Sequence, residues 1–371
     1  MYKIFSLLPV ILLSFNTQAQ KTNFNLLIGT YTNTGKSEGI YTYNFNTLNA
    51  ETSLKSTTKD VDNPSFLAIS PDRRSVYSVH ESGDKSAVSA FSYNATAAEL
   101  LLQNKKDSEG ANPCYITADN KNVIVGNYSG GTITVFGRNP DGSLTDAKQV
   151  IQHTGKSIDP KRQESSHVHM VQFTPDKNFL ICNDLGEDLV YIYNYYPLAS
   201  AQVLTLKTVY KTQPGTGPRH MTFSPDGGFA YLTHEFNGSI TAFSYANGNL
   251  NRIQEIASTE EGFTGKVDAA DIHVSPDGKF LYQSNRGDLN TISVFSIFPT
   301  GKLAFVSRVS TLGEGPRNFA IDPSGKYLLV ANQKSNEVVI FNRDQTTGAL
   351  TDSGKRIAVG APVNLVFDDN N

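Results

Sequence analysis

Residues 220–235 read HMTFSPDGGFAYLTHE. Apolar residues alternate up to Phe223, a Ser-Pro-Asp-Gly group follows, and a second apolar run leads to His234 and Glu235. The alternation has the period of a β-strand, and Pro-Asp-Gly supplies the residues of a tight turn. The stretch therefore reads as strand, turn, strand. It recurs as FLAISPDRRSVYSVHE at 66–81, MVQFTPDKNFLICND at 170–184, DIHVSPDGKFLYQSN at 271–285 and NFAIDPSGKYLLVAN at 318–332. YITADNKNVIVGNY at 115–128 is a variant with a shorter turn. Anchored on Asp72, Asp119, Asp176, Asp226, Asp277 and Ser324, the units are spaced by 47, 57, 50, 51 and 47 residues. A period of this size marks a repeat architecture.

Each unit continues in the same way. A polar Gly/Asn/Ser loop leads to a third strand (AVSAFSY, TITVFGR, LVYIYNY, SITAFSY, TISVFSI, EVVIFNR), and a more polar fourth stretch follows. Four antiparallel strands per repeat make a propeller blade. No segment carries a long helical period, which excludes helical solenoids and α/β folds. The end segment APVNLVFDDNN (361–371) matches only a first strand, and NLLIGTYTNTGKSEGIYTYNFN (25–46) matches only a second and a third. Six full units and one shared unit predict an all-β, seven-bladed β-propeller of four-stranded antiparallel blades. Pairing the N- and C-terminal strands in one blade closes the ring and removes open sheet edges.

The 371 residues are 39% hydrophobic and 18% charged, an ordinary globular composition. The formal net charge of −3 gives no argument for nucleic acid or an anionic membrane as partner. Lys3, the apolar run 4–15 and Thr17-Gln18-Ala19 have the pattern of a cleavable leader. Residues 1–19 are expected to be a signal peptide and 20–371 a single propeller domain, exported to the periplasm or beyond. No later run is long and apolar, so no membrane contact is expected after cleavage, and a monomer is expected. The two cysteines, Cys114 and Cys182, lie in apolar strands and are expected as buried thiols rather than a bridge.

In an antiparallel pair, the start of the first strand and the end of the second share one rim. Two sets of positions should meet there, around the central channel. The first-strand starts are Ser65, Cys114, His169, Arg219, Ala270, Arg317 and Val363, followed by Phe66, Tyr115, Met170, His220, Asp271, Asn318 and Asn364. The second-strand ends are Thr30, His80, Asn127, Asp184, His234, Asn285 and Asn332, followed by Tyr31, Glu81, Tyr128, Leu185, Glu235, Arg286 and Gln333. A structural repeat has no need to vary at one rim between Arg, His, Glu and Asn, whereas a small-molecule site does. His167 and His169 share a strand face, but no third ligand stands at a matching spacing, so no metal and no other cofactor is expected. Arg219 and Arg317 would serve equally as ion-pair partners between blades. The His-Glu of 80–81 repeats at 234–235, which points to a structural role for at least one pair. Residues 151–166 (IQHTGKSIDPKRQESS), with Lys156, Lys161 and Arg162, form the longest connection. They read either as a lid over the rim or as a solvated insertion.

These residues resemble the lactonase family of seven-bladed propellers, which includes propeller-type 6-phosphogluconolactonases and carboxymuconate lactonizing enzymes. The motifs carrying the resemblance are LLIGTYT, NPSFLAISPD, VGNYSGGTITVF, HVHMVQFTPD, GPRHMTFSPDG, HEFNGSITAF, SNRGDLNTISVF and GEGPRNFAIDPSGKYLLVAN. The resemblance implies a catalytic set of His169 (or His167), Arg219, Glu235 and Arg286. With the rim columns it suggests His167, His220, Asn285, Arg317, Asn318, Asn127 and Glu81 as substrate contacts. The expected activity is hydrolysis of a small sugar-derived or anionic lactone, with Glu235 or His169 as base. A lactonizing isomerase or cyclase would want the same groups, and a non-catalytic binding propeller is the third reading.

Overall fold

The computed structural model describes residue 2 and residues 21–369. The expected leader lies, apart from Tyr2, outside the described residues. Seven four-stranded antiparallel sheets stand around a ring. Blade 1 takes Pro362–Phe367 as its innermost strand and Asn23–Thr30, Gly39–Asn46 and Thr52–Lys59 as the outer three. The two ends pair antiparallel, Leu26 opposite Phe367 and Ile28 opposite Leu365, so the ring is closed by the chain termini. Blades 2 to 7 follow in order, with innermost strands Leu67–Ile69, Pro113–Ala118, Val168–Phe173, Pro218–Phe223, Ala269–Val274 and Pro316–Ile321. Each then runs outward through three consecutive strands. Among the described residues the one helical element is the short 3-10 turn Gly83–Lys85.

The repeated Ser-Pro-Asp-Gly residues build one rim. In blade 6, Ser275 Oγ donates to Asp277 Oδ1 (2.5 Å) and accepts from Phe280 N (3.0 Å). Ser70 with Asp72, and Ser224 with Asp226, repeat that contact. The residue after the aspartate has positive φ, 71° at Gly278, which glycine adopts without steric cost. Apolar side chains of the two middle strands fill the spaces between blades. Tyr77, Val79 and Val88 of blade 2 pack on Ile116, Val123 and Phe136 of blade 3, and Leu26 and Phe45 of blade 1 on Leu329 and Val338 of blade 7. Both faces of a blade are thereby buried, which is why its inner strands read as near-continuous apolar runs.

A second set of contacts staples the inner strands together. Met170 Sδ accepts from Met221 N (3.1 Å), Asn318 Oδ1 from Leu365 N (2.7 Å) and Asn364 Oδ1 from Leu67 N (3.0 Å). Each side chain reaches the backbone of the next blade. Asn364 is buried at the closure, so Asn364→Ala leaves the Leu67 N–H without a partner. We expect a loss of about 1–3 kcal/mol in denaturant unfolding. A change below about 0.5 kcal/mol would show that the staple carries no weight.

Candidate active site

The inner strands are irregular at the rim opposite the repeated turns. The blade 4 ladder pairs Val168 with Asp184 and then Met170 with Asn183, leaving His169 out of register. Blade 5 passes from Pro218 to Met221 and leaves out Arg219 and His220. Blade 6 leaves out Ala270 and Asp271, blade 7 Arg317, and blade 3 Cys114. These are β-bulges, which free a residue from the ladder and re-aim its side chain. The second-strand ends follow the ordinary alternation of a strand. His234 turns into its blade, where Nε2 meets Thr241 Oγ1 (2.8 Å), and the next residue, Glu235, turns to the channel. His80 meets Ser89 Oγ (2.7 Å) in the same manner, beside Glu81.

The result is a cavity of about 220 Å³ at the centre of that rim. Glu81, His169, Glu235, Arg286 and Arg317 line it, together with Tyr31, Cys114, Tyr128 and Arg162. A crevice of about 10 Å³ lies beneath, walled in part by Arg219, His220 and Asn318. That is room for one water at most. A groove of about 360 Å³ lies on the opposite rim, but its Asp226 and Asp277 are engaged within their own turns.

Glu235 is the hub. Oε2 accepts from Arg219 Nε (2.8 Å) and lies 3.1 Å from Arg286 Nη2, while Oε1 accepts from Arg162 Nη2 (2.5 Å). Burial by itself would raise its pKa. Arg286, Arg219 and Arg162 outweigh that and hold the carboxyl well below the usual range. Arg219 is 1% exposed. Burial first, and then Arg286 beside it, bring it down to about 10, so it stays charged at neutral pH. Its Nη1 donates to Ala270 O (2.6 Å) and to His220 Nε2 (3.2 Å). Arg286 is braced by Asp268, Nη2 to Oδ1 at 2.7 Å.

His169 is buried, and burial together with Arg219, His220, Arg317 and Arg286 keeps its pKa well below the ordinary value. The ring is therefore neutral at working pH. Its Nδ1 lies 3.9 Å from Cys114 Sγ, and its Nε2 makes no hydrogen bond among the described residues. The Arg317 guanidinium lies over the Tyr31 ring, 5.4 Å from its centroid, and forms no ion pair among the described residues. Tyr31 donates to Glu81 Oε2 (2.7 Å).

His220 is held in one tautomer. Because Nε2 accepts from Arg219, the proton sits on Nδ1, which faces Asp271 Oδ1 at 2.8 Å. Burial and then Arg219 lower this ring to about 4. Asp271 also accepts from Asn318 Nδ2 (2.5 Å), and its Oδ2 lies 2.9 Å from His273 Nε2. Asp271→Asn would offer an N–H to His220 and turn the opposite edge of the ring against Arg219. We expect kcat/KM to fall about 10- to 100-fold with the fold intact. Circular dichroism and lactone turnover measured together check this, and unchanged turnover would remove Asp271 from the positioning network.

Several residues expected as substrate contacts are placed elsewhere. Asn127 Nδ2 is bound to Ser108 O, Thr132 and Thr134, and Asn285 Oδ1 accepts from Asp268 N. Both follow the inward half of the strand alternation. His167 stacks on Tyr128 (4.4 Å) and bonds its carbonyl through Nδ1 (3.0 Å), behind the cavity wall. His220 and Asn318 reach only the crevice, because they staple blades, and Arg219, expected in the catalytic set, likewise borders the crevice rather than the main cavity. Cys114 and Cys182 are both free and buried. Three further lining residues stand outside the expected substrate contacts: Tyr31 and Tyr128, named only in the rim columns, and Arg162, named only within the 151–166 connection read as a lid or an insertion. Tyr31 and Tyr128 stood at the same rim position as Glu81 and Glu235, and that was their signal. Arg162 comes from a connection outside the repeat. His153, Asp184 and Glu187 bring three potential ligand atoms within 4.8 Å of one another outside the cavity. Asp184, however, already accepts from Ser166, His167 N, Gly186 N and Glu187 N, so the cluster reads as an anchor for the 151–166 connection.

A seven-bladed ring with a carboxylate and several arginines at its channel mouth is the architecture of a small-molecule enzyme rather than a scaffold. Residues 25–367 match the family described as lactonase, 7-bladed beta-propeller. The chain is 36% identical to a 6-phosphogluconolactonase of Formosa agariphila, over 92% of this chain and 98% of that one. It is 34% identical to a 6-phosphogluconolactonase of Bacillus subtilis, over 92% and 97%. The periplasmic gluconolactonase of Pseudomonas aeruginosa superposes with a TM-score of 0.89 at 36% identity, covering 93% of this chain and 99% of that one. This chain belongs to the lactonase family of seven-bladed β-propellers, and within it is 6-phosphogluconolactonase-like.

Proposed function

We propose that the protein hydrolyses the ring ester of a small, anionic, sugar-derived lactone, with His169 as base and Arg286, backed by Arg219, as oxyanion donor. The observation that carries the roles is the division of labour around Glu235. Both of its oxygens are engaged by arginines, so it serves as their counter-ion. His169, neutral, lining the cavity and with Nε2 free of hydrogen bonds among the described residues, is the group left to take a proton. The imidazole accepts a proton from water as the water oxygen bonds to the lactone carbonyl carbon. Negative charge then gathers on the carbonyl oxygen. Arg286 Nη1, on the cavity wall, and Arg219 Nη2, at the crevice beneath it, carry no hydrogen bond among the described residues, and we assign Arg286 as the direct donor for it with Arg219 behind. The intermediate collapses with cleavage of the ring C–O bond, and the imidazolium returns its proton to the departing ring oxygen. The product is an open-chain hydroxy acid.

A panel of δ-gluconolactone, its 6-phosphate, simple aliphatic lactones and muconates tests this reading, with ring opening followed by proton release. Turnover of sugar lactones with no change of the muconates is expected. Turnover of muconates alone would replace hydrolysis with cyclisation. The N-terminal pattern and the periplasmic relative support export after cleavage following Ala19. Mature protein from a periplasmic or culture fraction should begin at Gln20, and an intact Met1 there would overturn it.

A further inference from the structure

We infer that Arg162 is a substrate-selecting arm that exchanges Glu235 for an anionic group on the lactone and closes on that group with Arg317. This rests on the lactonase reading and adds how the site recognises charge. The arm stands on a built pedestal. Asp159 Oδ1 accepts from Lys161 N (2.8 Å) and Arg162 N (3.2 Å), and the buried Gln163 side chain donates to Leu185 O (2.9 Å). Ser157 Oγ donates to Asp188 Oδ2 (2.5 Å), the same carboxylate that holds Gly215 N and Gly217 N ahead of Arg219. The backbone under Arg162 is thus fixed to blade 4, whose Asp188 also holds the entry to the blade that carries Arg219, and only the side chain has to swing.

Three arginines share Glu235, but they are held differently. Arg219 has a second acceptor in Ala270 O, and Arg286 has Asp268. Arg162 has Glu235 as its one ion-pair partner among the described residues, its second polar neighbour is the uncharged Tyr128 hydroxyl, and its side chain is 38% exposed. The guanidinium also lies over the Phe236 ring, 4.7 Å from its centroid. A half-exposed ion pair is weak, whereas one between buried groups is not given up without a large cost. Arg162 is therefore the exchangeable member. On the same cavity wall Arg317 forms no ion pair among the described residues, so a bound phosphate or carboxylate would find one guanidinium without a salt bridge and one that is readily released. Two guanidiniums meeting one oxyanion is the geometry in which arginine outperforms lysine. A neutral lactone offers nothing to draw Arg162 away.

The test compares wild type with Arg162→Gln and Arg162→Lys on δ-gluconolactone and on its 6-phosphate, with inorganic phosphate binding measured by calorimetry. For R162Q we expect the ratio of kcat/KM on the phosphorylated lactone to kcat/KM on the neutral lactone to fall about 10- to 100-fold, because only the phosphorylated substrate loses a partner of its own. Phosphate binding should weaken about tenfold or more, and Arg162→Lys should recover part of it. An equal fall on both lactones would make Arg162 part of the common machinery and overturn the proposal. So would no fall on either, or unchanged phosphate binding. If the wild type opens neither lactone, the lactonase reading fails, and the phosphate measurement still decides whether Arg162 is an anion receptor.

Discussion

Glu235→Gln is expected to remove most of the lactone turnover and about 3–5 kcal/mol of stability together. The substitution keeps the shape of the side chain and takes away its charge. Arg219, 1% exposed, and Arg286 then face each other with no carboxylate between them. Breaking a buried pair from one side is costly because the surviving charge can be neither solvated nor matched. The arginines would move apart or draw in water, and the proposed oxyanion donor, Arg286, would lose its aim along with Arg219 behind it. A fall in kcat/KM on the order of 10³ follows from losing a donor of that kind. Glu235→Asp keeps the charge one methylene back and should recover more stability than activity. Calorimetric unfolding and lactone turnover on the same preparations check both effects. An E235Q variant that melts like wild type and works within about tenfold of it would show that the arginines do not depend on this carboxylate.

The second large effect is expected at His169. His169→Asn should lower kcat about 10²- to 10⁴-fold and move KM little, the range for loss of a positioned general base. The pH dependence carries the sharper test. Burial and the neighbouring arginines depress the pKa of this imidazole. The active form is the neutral ring, and a lowered pKa extends the neutral form to more acid pH. The acid limb of kcat/KM should therefore lie well below the ordinary histidine value of about 6.5, with activity constant from neutral pH down to that limb and lost only as pH falls through it. In the H169N variant this limb should vanish along with most of the rate. A limb near the ordinary histidine value that survives the substitution would assign the base to another group.

Much of the fold was legible because repeats impose themselves on sequence. The Asp226 turn and its counterparts mark the spacing, and the fragment at 361–367 lacks only the strands that residues 25–59 supply. Fold, blade number and ring closure follow from that, and the structure agrees. The rim was legible as well, since variation at a fixed place in a repeat stands out. The columns could not say which member of each polar pair faces the channel. Asn285 and Arg286 are adjacent and both polar, as are His234 and Glu235, so hydrophobic alternation gives no parity there.

The seven blades, their closure and the rim where polar residues vary follow from the amino-acid sequence, because turn chemistry and strand period are local. Only the tertiary packing shows which of the rim side chains line the cavity. The bulges that release Cys114, His169, Arg219 and Arg317 form where inner strands crowd around the channel and are stapled to their neighbours. A bulge shifts side-chain parity by one residue, and that shift is set by the blade alongside rather than by the strand's own residues. Arg162 illustrates the same limit, for it joins Glu235 only when the ring has brought residues 73 positions apart to one mouth.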